Sequence, residues 1–261
     1  MKIPENASKI SVMESSIGIE VELERMLRCI LNQVTPENLK EVVTTIKQKR
    51  INTLERHLIL VELLYKNAVE KTGSSDIYAQ ILSQVSSHAE SREVKKLINK
   101  CQKEFEKDRN TFKATRKREI DEVTNPIRKL ELSLQLDNDL KKCSELSKNN
   151  IKLIGELYKL HMMTTTIIHR IIQSLLEKRD ELSLECLCIL LTVTGKLCET
   201  QCKLRPEAMQ EWDKYFIEMN KIMSDHQISN QLRNLMIDVI NLRQNNWVPQ
   251  EEPTMETSTA T

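Results

Sequence analysis

The chain has 261 residues, 39% of them apolar and 30% charged, with a net charge of +1 and only four glycines and six prolines. So few turn formers exclude a protein built from short strands and tight hairpins, and the near-neutral balance excludes a whole-molecule field that would gather nucleic acid or membrane. No eighteen apolar residues run together and no secretory leader opens the chain, so a soluble intracellular protein is expected; seven cysteines, an odd number, fit a reducing compartment.

Residues 1–18 are polar and unpatterned and read as a loose, disordered arm. Helical spacing begins with Ile19, Leu23, Met26, Leu27, Ile30, Leu31 and Val34, and Thr35 with Pro36 supplies a cap and a first-turn proline for a helix carrying Leu39, Val42, Val43 and Ile46. A second pair starts near Thr53 with Leu54, Leu58, Val61, Leu64, Tyr65 and Ala68, breaks at Gly73 to Ser75, and resumes through Ile77, Ile81, Leu82 and Val85. The third opens around Glu93 with Val94, Leu97, Ile98, Cys101 and Phe105, and a charged insertion over about 108–147 delays its partner until Ile151.

From Asn149 to Cys202 helical signals follow with almost no loop. Ile151, Ile154, Leu157, Tyr158 and His161 share one face, which must be buried, and Gly155 within it predicts close approach by a neighbour. Thr164 to Thr166 precede the stripe of Ile167, Ile168, Ile171, Ile172, Leu175 and Leu176. Asp180 is a further N-cap candidate, ahead of Leu184, Leu187, Cys188 and Leu191, with Gly195 placed to end that helix in a left-handed turn. Segments from Pro206 and from Ser229 make a last pair, and residues 250–261 read as a disordered tail. Pairs beginning near 19, 53, 93, 164 and 206 approach the roughly 40–47-residue period of HEAT arrays. The expected fold is therefore all-α, a right-handed solenoid of about five HEAT-type (ARM/HEAT-like) hairpins over 19–249.

Motifs for chemistry are missing: no phosphate-cradling glycine loop, no G-x-S-x-G elbow and no H-E-x-x-H helix, so neither enzyme activity nor a cofactor is expected. Cys198 and Cys202 at i, i+4, with His161 and His169 nearby in sequence, allow either a metal site or plain core, but the C-x-x-C knuckles usual for zinc are missing and no metal is expected. Asp180, Glu181 and Glu185 are either paired carboxylates or first-turn acids favouring a helix dipole. Between Lys95 and Arg118 ten cations face three acids, a net +7. That stretch reads either as a solvated surface or as a backbone-level RNA contact, for which Lys113, Arg116, Lys117 and Arg118 are the candidates; only Phe105 and Phe112 interleave, which disfavours a stacking platform.

Five blocks in order, Cys101-Gln-Lys-Glu-Phe-Glu-Lys107, Ile151-Lys-Leu-Ile-Gly-Glu-Leu-Tyr-Lys-Leu160, Ser183-Leu-Glu-Cys-Leu-Cys188, Asp238-Val-Ile-Asn-Leu-Arg243 and Asn246-Trp-Val-Pro249, resemble the middle domain of the eukaryotic translation initiation factor 4G family. The resemblance covers roughly Val21 to Pro249. It implies a five-repeat HEAT scaffold that binds the DEAD-box RNA helicase initiation factor 4A and mRNA in the cytoplasm, with other initiation factors as further partners and no membrane. Leu31-Asn-Gln-Val-Thr-Pro36 matches the family's helicase motif, so Leu31, Val34 and Leu39 are the implied contacts with the helicase's C-terminal domain, although periodicity alone fits them as core. Arg233 and Leu235 in the last hairpin are the implied contacts with its N-terminal domain, where Asn234 replaces the family's usual aromatic. No tyrosine is followed five residues later by leucine, so the cap-binding protein's docking motif is not found. A regulator competing for the helicase, or a related adaptor in nuclear cap binding or mRNA decay, is the alternative reading.

Overall fold

A computed structural model describes the backbone of residues 5–49, 51, 53–86, 92–106, 109–224 and 228–249, and their side chains except at 5–17, 92–94, 105–106 and 109–110. Eleven α-helices and no strand occur among these residues, so the chain is all-α as expected. It divides into two compact units, Met1–Thr164 and Thr165–Thr261, within the single stretch that periodicity assigns to one domain.

The first unit holds α1 (Glu5–Asn32), α2 (Leu39–Gln48), α3 (Leu54–Glu70), α4 (Ser75–Val85), α5 (Arg92–Glu106), α6 (Arg109–Asp121) and α7 (Pro126–Lys159). Helix α1 packs on α3 and α3 on α5, while α2 packs on α4 and α4 on α7, so three hairpins stack with first helices in one layer and second helices in the other. Much of each predicted stripe is buried: Leu23, Leu27 and Leu31 on α1, Val42, Val43 and Ile46 on α2, and Val61, Leu64, Tyr65 and Ala68 on α3; Ile19 is exposed, Leu54 and Leu58 are half-buried, and Leu60 and Leu63 join the α3 core from outside the expected stripe. Thr53 caps α3 by accepting from the Arg56 amide at 3.3 Å. Gly73 turns between α3 and α4 at φ +84°, a region that costs a Cβ-bearing residue.

The second unit holds α8 (Thr165–Lys178), α9 (Glu181–Cys202), α10 (Pro206–Met223) and α11 (Asn230–Gln244), with α8 on α9 and α10, and α11 on α9 and α10. These are two more hairpins, which makes five among the described residues, the number expected. Asp180 caps α9, accepting from the Ser183 amide at 3.0 Å, and Ser229 caps α11, accepting from Leu232 at 3.2 Å.

Several local expectations are corrected. Helix α1 starts at Glu5, ahead of Ile19, inside the stretch read as a loose arm. Pro36 lies in the turn and Asn38 occupies the cap position of α2, because Thr35 and Asn38 clasp each other instead: the Thr35 amide donates to Asn38 Oδ1 at 2.8 Å and the Asn38 amide to Thr35 Oγ1 at 3.4 Å. The insertion is largely helical, with α6 inside it and α7 beginning at Pro126. Asn125 starts α7 by accepting from the amides of Ile127 and Arg128, and Pro126 fills the first helical position. His161 is exposed past the end of α7, at φ +58°, and not on its buried face. Gly195 sits in the middle of α9 and ends nothing. The tail expected over 250–261 lies outside the described residues.

Candidate functional site

The turn between α1 and α2 carries the first set of candidates. Leu31 is wholly buried, at 0% exposure, so its side chain is core and offers no surface, whereas Val34 and Leu39 are half-buried at the turn. The second hairpin braces the turn from beneath. Tyr78 donates to the Leu31 carbonyl at 3.0 Å, and Lys71 Nζ donates to Asn32 Oδ1 at 3.2 Å and to the Tyr78 oxygen at 3.1 Å. With Asn38 Nδ2 also donating to the Gln33 carbonyl at 2.8 Å, the backbone that presents Val34 and Leu39 is fixed by side chains on both flanks.

Arg233 and Leu235 lie on α11. Arg233 is half-buried; Leu235 faces solvent beside the exposed Ile237. On α6, Lys113, Arg116, Lys117 and Arg118 are all exposed. Arg116 pairs with Glu119 at 2.7 Å, one turn along, while among the described residues no acid pairs with Lys113, Lys117 or Arg118. Phe112 is also exposed on α6, and the Phe105 side chain lies outside the described residues.

The cysteines and histidines do not converge. Cys198 and Cys202 are buried on α9, His169 is half-buried on α8 and His161 is exposed at a loop; among the described residues no three His, Cys, Asp or Glu side chains gather as a metal site would require. Burial pushes the thiols of Cys101 and Cys188 up to about 12, so both are protonated near neutral pH and poor nucleophiles. His169 instead places Nδ1 2.9 Å from the Tyr215 hydroxyl and Nε2 3.8 Å from Cys202 Sγ, with the edge of Trp212 against its ring. Burial lowers its pKa and raises that of Tyr215 to about 12, so both are neutral members of a packed cluster. Asp180 serves as a cap and Glu181 accepts from Ser229, which gives both acids structural partners.

One polar node escaped the sequence reading. Glu199, buried on α9, accepts from Arg243 Nη2 at 3.3 Å and from the Trp247 indole, and Arg243 also reaches Asp213 and stacks 4.1 Å over the Phe216 ring. Its members stand far apart in sequence, and only a buried acid within a long apolar helix hinted at it.

Among the described residues no helix is long and apolar enough to cross a membrane. The sequence matches the MIF4G domain family over residues 24–246. Mouse eukaryotic translation initiation factor 4 gamma 1 is 36% identical over 239 residues, covering 87% of this chain and 15% of that protein. Human eukaryotic translation initiation factor 4 gamma 3 is 35% identical with the same two coverages, and wheat eukaryotic translation initiation factor 4G is 29% identical over 258 residues, covering 95% and 17%. The chain thus spans 15% to 17% of the length of these relatives. Among solved structures, the MIF4G domain of Trypanosoma cruzi translation initiation factor EIF4G5 aligns with a TM-score of 0.48 at 17% identity, over 87% of this chain and 97% of that one.

Proposed function

The chain belongs to the MIF4G domain family, and from that premise we propose that it is a non-catalytic scaffold of translation initiation in the cytoplasm, which holds the DEAD-box RNA helicase initiation factor 4A and contacts mRNA. The observation that carries the reading is the identity of 35% to 36% with initiation factors 4 gamma over nearly the whole described chain. The braced turn at Val34 and Leu39 is the surface offered to the helicase's C-terminal domain, with Leu31 acting from beneath as its support. Arg233 and Leu235 on α11 are the surface for its N-terminal domain, where Leu235 and Ile237 supply exposed apolar area in place of the family's aromatic. The exposed cations of α6 take the RNA phosphates, a role that needs charge and reach but no base-reading groups.

The test is a quantitative pull-down of purified helicase 4A by the full chain and by a Val34→Ala/Leu39→Ala variant. Anchors of this kind carry about 1 to 2 kcal/mol each, so binding is expected to fall by roughly thirtyfold to several hundredfold while circular dichroism stays unchanged. A wild-type chain that fails to retain the helicase overturns the reading.

A further inference from the structure

Burial along α7 begins only at Ser147: no side chain from Pro126 to Leu146 is buried, although the helix runs unbroken through both halves. Helical surface left in water is ordinarily polar. This half carries Ile127, Leu130, Leu132, Leu134, Leu136 and Leu140 within fourteen positions. Ile127, Leu130 and Leu134 follow i, i+3, i+7 spacing and are 71%, 62% and 56% exposed, so they form one aliphatic stripe turned to solvent. Single exposed leucines are common, but a contiguous stripe of this kind marks a surface that something covers.

The charge beside it selects what does. Helix α6 packs on α7, tied by Asp121 to Lys129 at 3.1 Å, and beside Arg116, which Glu119 answers, it brings Lys113, Lys117 and Arg118, with which no acid pairs among the described residues. A second copy of this chain would set those cations against themselves, which opposes self-association. RNA answers the cations but gains nothing from isoleucine and leucine, since single strands use aromatic stacking. We infer that the α6–α7 arm docks an acidic amphipathic helix of a protein partner, whose apolar face covers Ile127, Leu130 and Leu134 and whose carboxylates compete with RNA phosphates for Lys113, Lys117 and Arg118. This is helix-on-stripe recognition with charge complementarity setting the choice of partner. It stands independently of the helicase reading.

Three synthetic helical peptides test it, sharing one leucine stripe and differing only in a polar face of glutamate, glutamine or lysine, each titrated by fluorescence anisotropy against the full chain. The glutamate peptide should bind at least tenfold more tightly than the lysine peptide. An Ile127→Ser/Leu130→Ser/Leu134→Ser variant should lose at least tenfold, and Leu130→Gln alone should lose part of that, with RNA filter binding unaltered in both. Lys113→Gln/Lys117→Gln/Arg118→Gln should abolish the preference among the three peptides. The proposal is overturned if no peptide binds, if all three bind alike, or if the serine variant unfolds and so reveals the stripe as core. It is equally overturned if the stripe changes act only by dissociating a dimer in sedimentation or by releasing the chain from phosphatidylserine vesicles.

Discussion

The indole of Trp247 occupies the space that a Cβ on Gly195 would need: such an atom would lie 2.1 Å from the ring. A glycine in mid-helix is normally a weakness, worth about 1 kcal/mol against alanine, but here it is the seat on which the end of the last hairpin rests. Trp247, at φ +62°, is held there by its indole donating to Glu199.

Gly195→Ala should therefore destabilise the protein by about 1–3 kcal/mol through overpacking, despite its better helix propensity. Urea denaturation measures this directly. In a Trp247→Ala background the same substitution should become neutral or stabilising, and equal effects in both backgrounds would show that the two residues do not interact.

Leu31→Ala should cost about 2–5 kcal/mol of folding stability, as expected for a wholly buried leucine with little room to relax. Val34→Ala and Leu39→Ala, at half-buried positions, should cost much less. Thermal unfolding of the three single variants separates the support of the turn from the surface it presents; equal losses at all three positions would contradict the burial pattern.

Three helix starts, Thr53, Asp180 and Ser229, were legible in sequence because a hydroxyl or carboxylate ahead of an apolar stripe has few other uses. The stripes were legible for the same local reason, each burying a face of its own helix. Helix α6 and the first half of α7 were not, since helices that bury little beyond Ile120 leave almost no periodic signal. Gly195 was misread because the residue that explains it lies some fifty positions away, and Leu31 stood open between two readings because a motif at a partner contact and a core stripe at helical spacing look alike until burial is known.

Stability should be pH-sensitive through the cluster of His169 and Tyr215. Burial holds His169 below its ordinary 6.5, partly opposed by Glu211, so the unfolded chain takes up a proton before the folded one does. The stabilisation is thus present above about 6.5 and is lost as pH falls below it toward the folded-state value. Tyr215 has the opposite shift, from 10.0 to about 12, so its contribution is present below 10.0 and is lost as pH rises between those values. The drop in urea midpoint from pH 7.5 to 5.5 should be smaller in His169→Gln than in the wild type, and an unchanged drop would exclude His169 as its source.

RNA binding through α6 should be weak, indifferent to sequence and steep in salt. Four phosphates neutralised by Lys113, Arg116, Lys117 and Arg118 give a slope of about −3 for the logarithm of the binding constant against the logarithm of salt concentration, at about 0.7 per phosphate. Changing the four to glutamine should flatten the slope and weaken all single-stranded RNAs alike. Filter binding that is identical for both proteins at low salt would assign these residues to solvated surface.

Two adjacent asparagines fix where α7 meets α3 and α5 within the first unit. Asn149 Nδ2 donates to the Val69 carbonyl at the end of α3, and Asn150 Nδ2 donates to the Cys101 carbonyl on α5, each at 2.8 Å. Neighbouring positions on a helix point about 100° apart, so the pair grips two different helices and pins α7 in both rotation and register. Insertions and deletions should thus be tolerated very unequally along this one helix. A residue added or removed among 126–142 disturbs only half-buried contacts with α6, such as the pair of Asp121 and Lys129, so the length of that half has more freedom to drift as relatives diverge. The same change between Asn149 and Leu157 would swing both amides and the buried face out of place together, which leaves the length of that interval no freedom to vary.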